Sequence, residues 1–283
     1  MRRICNLLVV VVIVLIGGGL LLTFGVRTRD AEARERCRNN LRQIGLSLDN
    51  YHTIYERFPS GTKPKENIGV EKRLSWLFEI LPYIEARMDP GWQHVDWNGT
   101  WDSNEHRTTV ELPCRTYLCP SNPNQGAANA PALTHYVGIA GIGADAASLS
   151  RDDRRAGVFG YENTPAEPHW RGLGVRRADI KDGLTKTMMV VETTWENGPW
   201  AAGGPSTVRG LDPDRQPYLG AGNQFGGLHR RGSGLFWFTD HSVTNVLFTD
   251  ASVRSITDSL DPRLFEALAT IAGGEDVGMI GDE

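Results

Sequence analysis

The sequence predicts an α+β fold that begins with a long helix and ends with a short one. Three observations lead to this prediction. An uncharged apolar segment runs into residues spaced as in an amphipathic helix, short apolar runs alternate with turn residues through the middle, and a helical pattern opened by proline closes the chain. Because the 283 residues include 32 glycines and 15 prolines, we also expect loop-rich insertions between the strands.

The first element is an apolar segment, from Leu7 to Val26, that contains no charged side chain. A helix of about 20 residues spans the roughly 30 Å hydrocarbon core of a bilayer. The segment is longer than the apolar run of a removable signal peptide, which has about 7–15 residues. Its length therefore favours a permanent transmembrane helix over a cleaved leader. Residues 1–6 carry Arg2 and Arg3 and are predicted to be a cytoplasmic tail, so that the rest of the chain lies outside.

The next segment, residues 27–58, is predicted to be an amphipathic stalk helix. Its apolar or small residues are Ala33, Cys37, Leu41, Ile44, Leu48, Tyr51 and Tyr55. Their steps of three and four place them on one helical face. No proline separates Ile4 from Arg57, so the spanning helix is expected to continue into the stalk. Residues 59–283 would then form the exported body.

The body is predicted to contain a short helix, several strands and a long surface loop. Residues 74–84 fit a helix bent at Pro82. Apolar runs predict strands at 136–143, 157–161 and 187–193, and the glycine- and proline-rich segment 197–227 is expected to be a surface excursion.

An internal repeat precedes the closing helix. Residues 238–243 (FTDHSV) recur as 248–253 (FTDASV), which predicts an antiparallel meander of strands at 235–238, 243–248 and 253–256. Asp240, His241 and Asp250 would lie in its turns. The final helix is expected to start with Asp261 as its N-cap and to end near Gly273.

Several motifs in a fixed order resemble a large bacterial family, the domain of unknown function 1559, which is prepilin-like and carries an H-X9-DG segment. The matching stretches are Cys37–Pro59, Leu81–Glu85, Trp101–Ser103, Tyr117–Ser121 and Asn245–Arg254. The resemblance implies a pilin-like build, a long N-terminal transmembrane and stalk helix packed on an antiparallel β-sheet. It also implies a pseudopilin role in surface assembly or secretion, at the inner membrane with the body in the periplasm or outside the cell.

The chain departs from the family in two places. The usual prepilin motif, a glycine followed by Phe-Thr-Leu-x-Glu, is replaced near Arg3 by a sequence without the glycine or the glutamate. The H-X9-DG spacing is also changed, with ten residues between His229 and Asp240, eight between His241 and Asp250, and Ala251 in place of glycine. We therefore expect Asp250-Ala251 to use a longer loop or a turn other than type I′.

No catalytic, cofactor or metal site is predicted. His229, Asp240, His241 and Asp250 invite a metal or acid–base interpretation, but no fixed ligand spacing supports it, and ordinary turn roles are favoured. The chain has no nucleophile elbow, phosphate-binding loop or dinucleotide motif. An anchored hydrolase that uses His229 or His241 stays a weaker alternative.

A tryptophan-rich polar loop supplies the second hypothesis, a module that binds carbohydrate or peptide. Trp92, Trp97 and Trp101 are its candidate ligand-facing aromatics, and segment 197–227 is a further candidate. The favoured interpretation is that the large rings pin the loop to the body.

Three cysteines, Cys37, Cys114 and Cys119, would be exported into an oxidising space, where one disulfide is expected. Cys114–Cys119 is the closest pair in sequence, whereas Cys37–Cys119 would staple the stalk helix to the body. A zinc site is less favoured, because no fourth ligand has matching spacing.

The leading hypothesis is a single-pass exported protein with a structural or assembly role, no catalysis and no cofactor. Its partners would be the membrane, through Leu7 to Val26, and other copies in a pilin-like assembly. The net charge of -4 gives no electrostatic basis for nucleic-acid binding.

Overall fold

The structure, a computed structural model, describes residues 2–84, 95–162, 173–232 and 240–275, with side chains described from Arg29 on and not for 230–232 or 240. The helices are α1 (Arg2–Tyr55), α2 (Trp76–Ile80), α3 (Arg107–Val110) and α4 (Pro262–Ala267). The strands are β1 (Tyr136–Ile142), β2 (Met188–Glu192), β3 (Val208–Leu211), β4 (His229–Gly232), β5 (Asp240–Phe248) and β6 (Val253–Thr257). The α+β class is therefore as predicted.

The six strands form one mixed sheet in the order β3-β1-β2-β5-β4, with β6 also paired to β5. The β1–β3 pair is parallel and the others are antiparallel, so the expectation of a purely antiparallel sheet is wrong. The cause is segment 197–227, which is no surface excursion. It supplies β3 and buries Trp200, Tyr218 and Phe225.

Strands β2 and β4 lie end to end along the same edge of β5. Val246 pairs with Val191 of β2 on one side and with Arg254 of β6 on the other. Val243 likewise pairs with His229 of β4 and with β6. The end of β2 and the start of β4 therefore meet beside the middle of β5.

Helix α1 covers one face of the sheet with the face that its sequence spacing predicted. Cys37, Leu41, Ile44, Leu48 and Tyr51 are all buried to at least 99%. Gly45 allows the close approach, since a Cβ at this position would lie 2.8 Å from Leu247 Cδ1 of β5. The helix ends at Tyr55, three residues before the predicted end of the stalk helix at residue 58.

The first described side chains of α1 lie outside this packing. Arg29, Glu32, Glu35 and Arg36 are exposed, and complete burial begins at Cys37. The predicted spanning segment, Leu7 to Val26, lies outside the described side chains. Among the helices whose residues are described, none has the length and apolar character needed to cross a bilayer.

The opposite face of the sheet is covered by α4 and by loops that bury Phe225, Phe265 and Leu268. Helix α4 begins as predicted, with the Asp261 carboxylate accepting the Arg263 backbone N–H at 2.8 Å. It ends at Ala267, before the expected end near Gly273. The Leu268 carbonyl accepts the Met188 N–H instead, which ties the chain to the start of β2.

The two repeat copies adopt different structures. Asp240 and His241 are the first residues of β5 and pair with β4, so they are not turn residues. The strand predicted at 235–238 falls outside the described residues. Asp250 does lie in the β5–β6 turn. The Ala251 N–H donates to Phe248 O, and Ala251 has φ 66°, as in a three-residue loop. The expected avoidance of a two-residue type I′ turn is confirmed.

Candidate functional site

Four chemically reactive side chains meet beneath α1, and we call them the buried cluster. They are Cys37 of α1, Cys119 in the turn after the 3-10 segment Arg115–Tyr117, Glu192 at the end of β2 and His229 at the start of β4. One ligand atom from each lies within 4.8 Å of the other three. Their exposures are only 0–4%, so the cluster is closed to solvent.

The strand register explains how Glu192 and His229 come together. Both lie where β2 and β4 meet along β5, and no strand pairs with the Asn245 N–H on that side. The Glu192 carboxylate takes the place of a strand, because its Oε2 accepts hydrogen bonds from the Asn245 backbone N–H (2.8 Å) and Nδ2 (2.9 Å). Gly227 leaves room for the two side chains, since a Cβ there would lie 3.0 Å from Oε2 and 2.9 Å from His229 Cδ2.

The imidazole of His229 occupies the centre of the buried cluster. Its Nε2 lies 3.5 Å from Cys119 Sγ and 3.2 Å from Glu192 Oε1. Its Nδ1 faces the Ser121 hydroxyl at 3.4 Å. A single ring nitrogen therefore approaches both a sulfur and a carboxylate oxygen, while the other nitrogen points to a separate partner.

The backbone of Cys119 is fixed by a second buried histidine. The Cys119 N–H donates to His135 Nδ1 at 2.8 Å, and His135 Nε2 lies 2.8 Å from the Asn124 carbonyl, to which it donates. Burial lowers the pKa of His135, which keeps its ring neutral and able to accept this bond. The thiol of Cys119 is thus held toward the cluster by the backbone.

Three members of the buried cluster, Cys37, Cys119 and His229, have shifted pKa values. Hydrogen bonding between the thiols raises the pKa of Cys37, with burial adding to the effect, and lowers the pKa of Cys119. Burial by itself lowers the pKa of His229, but hydrogen bonds to Cys119 and Glu192 outweigh burial and raise it. These shifts favour a Cys119 thiolate beside a His229 imidazolium.

This chemistry permits metal binding, disulfide formation or nucleophilic catalysis. Thiolate, imidazole and carboxylate are the usual zinc ligands, and a thiolate beside a histidine is also the form of a catalytic cysteine. Catalysis requires a substrate to reach the sulfur, yet Cys119 is 4% exposed and His229 is 2% exposed. The described geometry thus supports a closed site.

The other sequence-predicted residues lie elsewhere. Cys114 is half-buried at the start of the 3-10 segment and is not part of the cluster, and no disulfide joins the cysteines whose side chains are described. The exposed His241 instead contacts Asp258 at 3.2 Å, so the two histidines do not converge. The side chain of Asp240 is not among those that the structure describes. The Asp250 carboxylate caps its turn by accepting the Ser252 N–H.

The tryptophan loop is only partly described. Trp92 lies outside the described residues. Trp97 is half-buried and packs edge-on against Phe78, with ring centroids 5.8 Å apart. Trp101 donates its Nε1–H to Glu71 O at 2.8 Å and lines an open groove of about 480 Å³. Both described rings are therefore held by the body, in the way that the favoured interpretation expected.

Sequence reasoning missed Glu192 and the grouping around it. The available signal was a single acidic residue at the end of the apolar run Met188–Val191, where an unpaired carboxylate is costly. Nothing in the spacing of the four residues indicates that they meet.

Comparison with known proteins gives one match. The sequence model of a family described as "Protein of unknown function (DUF1559)" matches residues 28–263. No curated protein and no solved structure matches the chain.

Proposed function

Since the chain belongs to the DUF1559 family of proteins of unknown function, we propose a function from its own geometry. The protein is a membrane-anchored, pilin-like component of a surface or secretion assembly, and it has no catalytic activity. In this proposal α1 is an anchor and stalk, and the α+β body is presented outside the cytoplasm.

The observation that best supports this proposal is the way that α1 extends from the body. Its exposed residues 29–32 precede the buried face that starts at Cys37, so the body does not cover the helix on its N-terminal side. The uncharged sequence from Leu7 to Val26 lies immediately upstream and has the length of a membrane span. A helix packed from Cys37 onward and exposed at residues 29–32 suits a stalk.

The outer face of α1 supports an assembly role. Leu46 is 60% exposed and Ile54 is 58% exposed, and both lie on the same helix as the buried face. Positions eight apart fall on one side of a helix, so these two side chains offer an apolar contact to a neighbouring copy. The burial of Cys119 and His229 supports the absence of catalysis, because the described residues leave the sulfur-bearing side chain only 4% exposed to a substrate.

A binding module is the second candidate, and one observation favours it. The groove beside Trp101 is lined by Lys72, Glu196 and Asn197, which combine an aromatic edge with charged and amide groups. Such groups bind peptides or sugars when they converge on a ligand. The indole N–H of Trp101 is already bonded to Glu71, which leaves only the ring for contact.

Chemical crosslinking of the full-length protein in bacterial membranes tests the proposal. We expect the protein to sediment with membranes and to give crosslinked ladders. The double variant Leu46→Glu with Ile54→Glu should lose the ladders while staying folded. Leu112→Glu is the matched control, since Leu112 is 52% exposed but lies outside α1, and its ladders should persist. Recovery of the wild-type protein as a monomer in the soluble fraction would contradict the proposal.

A further inference from the structure

We propose that Cys37, Cys119, Glu192 and His229 bind one metal ion of the zinc(II) class, which joins α1 to the sheet. The ion would be structural, held by four protein ligands. This inference does not depend on the membrane-anchored role, because it uses only the body and the part of α1 packed on it.

The distances within the buried cluster fit a tetrahedral site. Zinc lies about 2.0–2.3 Å from nitrogen, oxygen and sulfur ligands, so tetrahedral ligand atoms are about 3.3–3.8 Å apart. The Cys119 Sγ to His229 Nε2 distance is 3.5 Å and the Nε2 to Glu192 Oε1 distance is 3.2 Å. The remaining ligand atoms lie within 4.8 Å, a spread that small side-chain rotations can close.

Two of the four ligands, Glu192 and His229, are oriented by partners outside the cluster. Oxygen Oε2 of Glu192 is taken by the Asn245 backbone and side-chain amides, which leaves Oε1 toward the cluster. Nδ1 of His229 faces the Ser121 hydroxyl, whose oxygen can accept an Nδ1–H and so suits the tautomer that presents Nε2. Partners of this kind are typical of metal sites, where they orient the ligands and set their basicity.

The ligand types select the metal class. Two thiolates with imidazole favour zinc and exclude magnesium and calcium, which require oxygen ligands. Fully deprotonated, the two thiols and one carboxylate carry three negative charges, of which a divalent cation cancels two. The thiol protons are released as the ion binds.

A disulfide between Cys37 and Cys119 is the main competing state. It would oxidise both sulfurs and leave Glu192 Oε1 and His229 Nε2 facing each other in a buried space. A metal ion would bind all four donor atoms, whereas a disulfide would involve only the two sulfur atoms. The convergence of Glu192 and His229 on the two sulfurs therefore favours the metal.

Metal analysis of the purified full-length protein provides the test. We expect about one zinc per chain by elemental mass spectrometry. Cobalt(II) added to the chelator-treated protein should give tetrahedral d–d absorption and a thiolate-to-cobalt charge-transfer band. Cys119→Ser and His229→Asn should lower zinc affinity more than about tenfold in chelator competition, by analogy with outer-shell changes that cost 10–100-fold. Cys114→Ser is the control and should bind like the wild type, because Cys114 lies outside the cluster.

Measurements on the wild-type protein keep the test decisive if a variant does not fold. The protein is unfolded in the presence of a chelator and then alkylated. If a metal is the native occupant, all four cysteines of the chain should be modified. A disulfide would leave only two to be modified. A folded protein that contains no zinc and gives no charge-transfer band with cobalt(II) would overturn the proposal, as would a wild-type protein with two alkylated cysteines.

Discussion

At the scale of single residues, Ala251 has a backbone conformation that suits glycine better than alanine. Its φ of 66° is left-handed, where the Cβ of an L-residue approaches the following carbonyl oxygen and costs roughly 1–2 kcal/mol. The loop keeps this conformation because the Ala251 N–H donates to Phe248 O and the Phe248 N–H donates to Ser252 O.

The substitution Ala251→Gly should therefore stabilise the protein. Glycine removes the left-handed strain but adds freedom to the unfolded chain, so we expect a net gain of about 0.5–1 kcal/mol. Urea unfolding followed by circular dichroism measures the change. The control Ala178→Gly alters an exposed alanine without positive φ and should lower stability. Equal effects of both changes would show that Ala251 is not strained.

At the scale of elements, α1 is held to the sheet by the burial of one face. Ile44 and Leu48 are 0% and 1% exposed, whereas Leu46, between them in sequence, is 60% exposed. The helix period assigns these residues to opposite sides. Aliphatic side chains within five residues of each other therefore contribute very different amounts to the free energy of unfolding.

Leu48→Ala should lower the free energy of unfolding by about 2–5 kcal/mol, since it removes buried methyl groups and leaves a cavity. Leu46→Ala on the solvent side should change it by less than about 0.5 kcal/mol. Denaturant unfolding of the two variants in parallel gives the comparison. A similar loss in both would mean that α1 does not pack with the described face.

Sequence periodicity predicted the elements whose contacts are local. The three-and-four spacing gave the buried face of α1, the apolar runs gave β1 and β2, and the Asp261-Pro262 pair gave the start of α4. It did not predict β3, whose parallel pairing with β1 depends on a distant part of the chain. It also placed Asp240 in a turn, because a repeat in sequence does not specify which strand the first copy will pair with.

At the scale of the whole molecule, the body and the exposed N-terminal part of α1 are distinct in their contacts. Complete burial of the described α1 side chains begins at Cys37, whereas Arg29 and Glu32 are exposed. The packed core therefore does not depend on the side chains of residues 29–32. This explains why removal of the N-terminal residues and removal of the first buried turn should have different effects.

A protein that begins at Arg29 should keep the unfolding midpoint of the full-length chain when both are measured in the same mild detergent. A protein that begins at Leu41 lacks Cys37, which is 0% exposed, and the Asn40 amide, which donates to Leu118 O at 2.9 Å. We expect its midpoint to fall. Unfolding of the chain that begins at Arg29 under native conditions would show that the body needs its N-terminal segment.

The candidate site could be predicted only in part. The sequence drew attention to Cys37, Cys119 and His229 separately, and to a Cys37–Cys119 contact as one of two pairings. Their meeting with Glu192 depends on β2 and β4 sharing an edge of β5, which is a property of the sheet register. Spacing motifs find metal sites whose ligands come from one short segment, and this set comes from four.

The order of the four donors along the chain has a consequence during synthesis. Cys37 leaves the ribosome first and His229 last, and the strand that aligns β2 with β4 follows later still. A nascent or stalled chain that stops before His229 has only part of the donor set. Capture of the ion by all four donors would then require a chain that extends at least to His229.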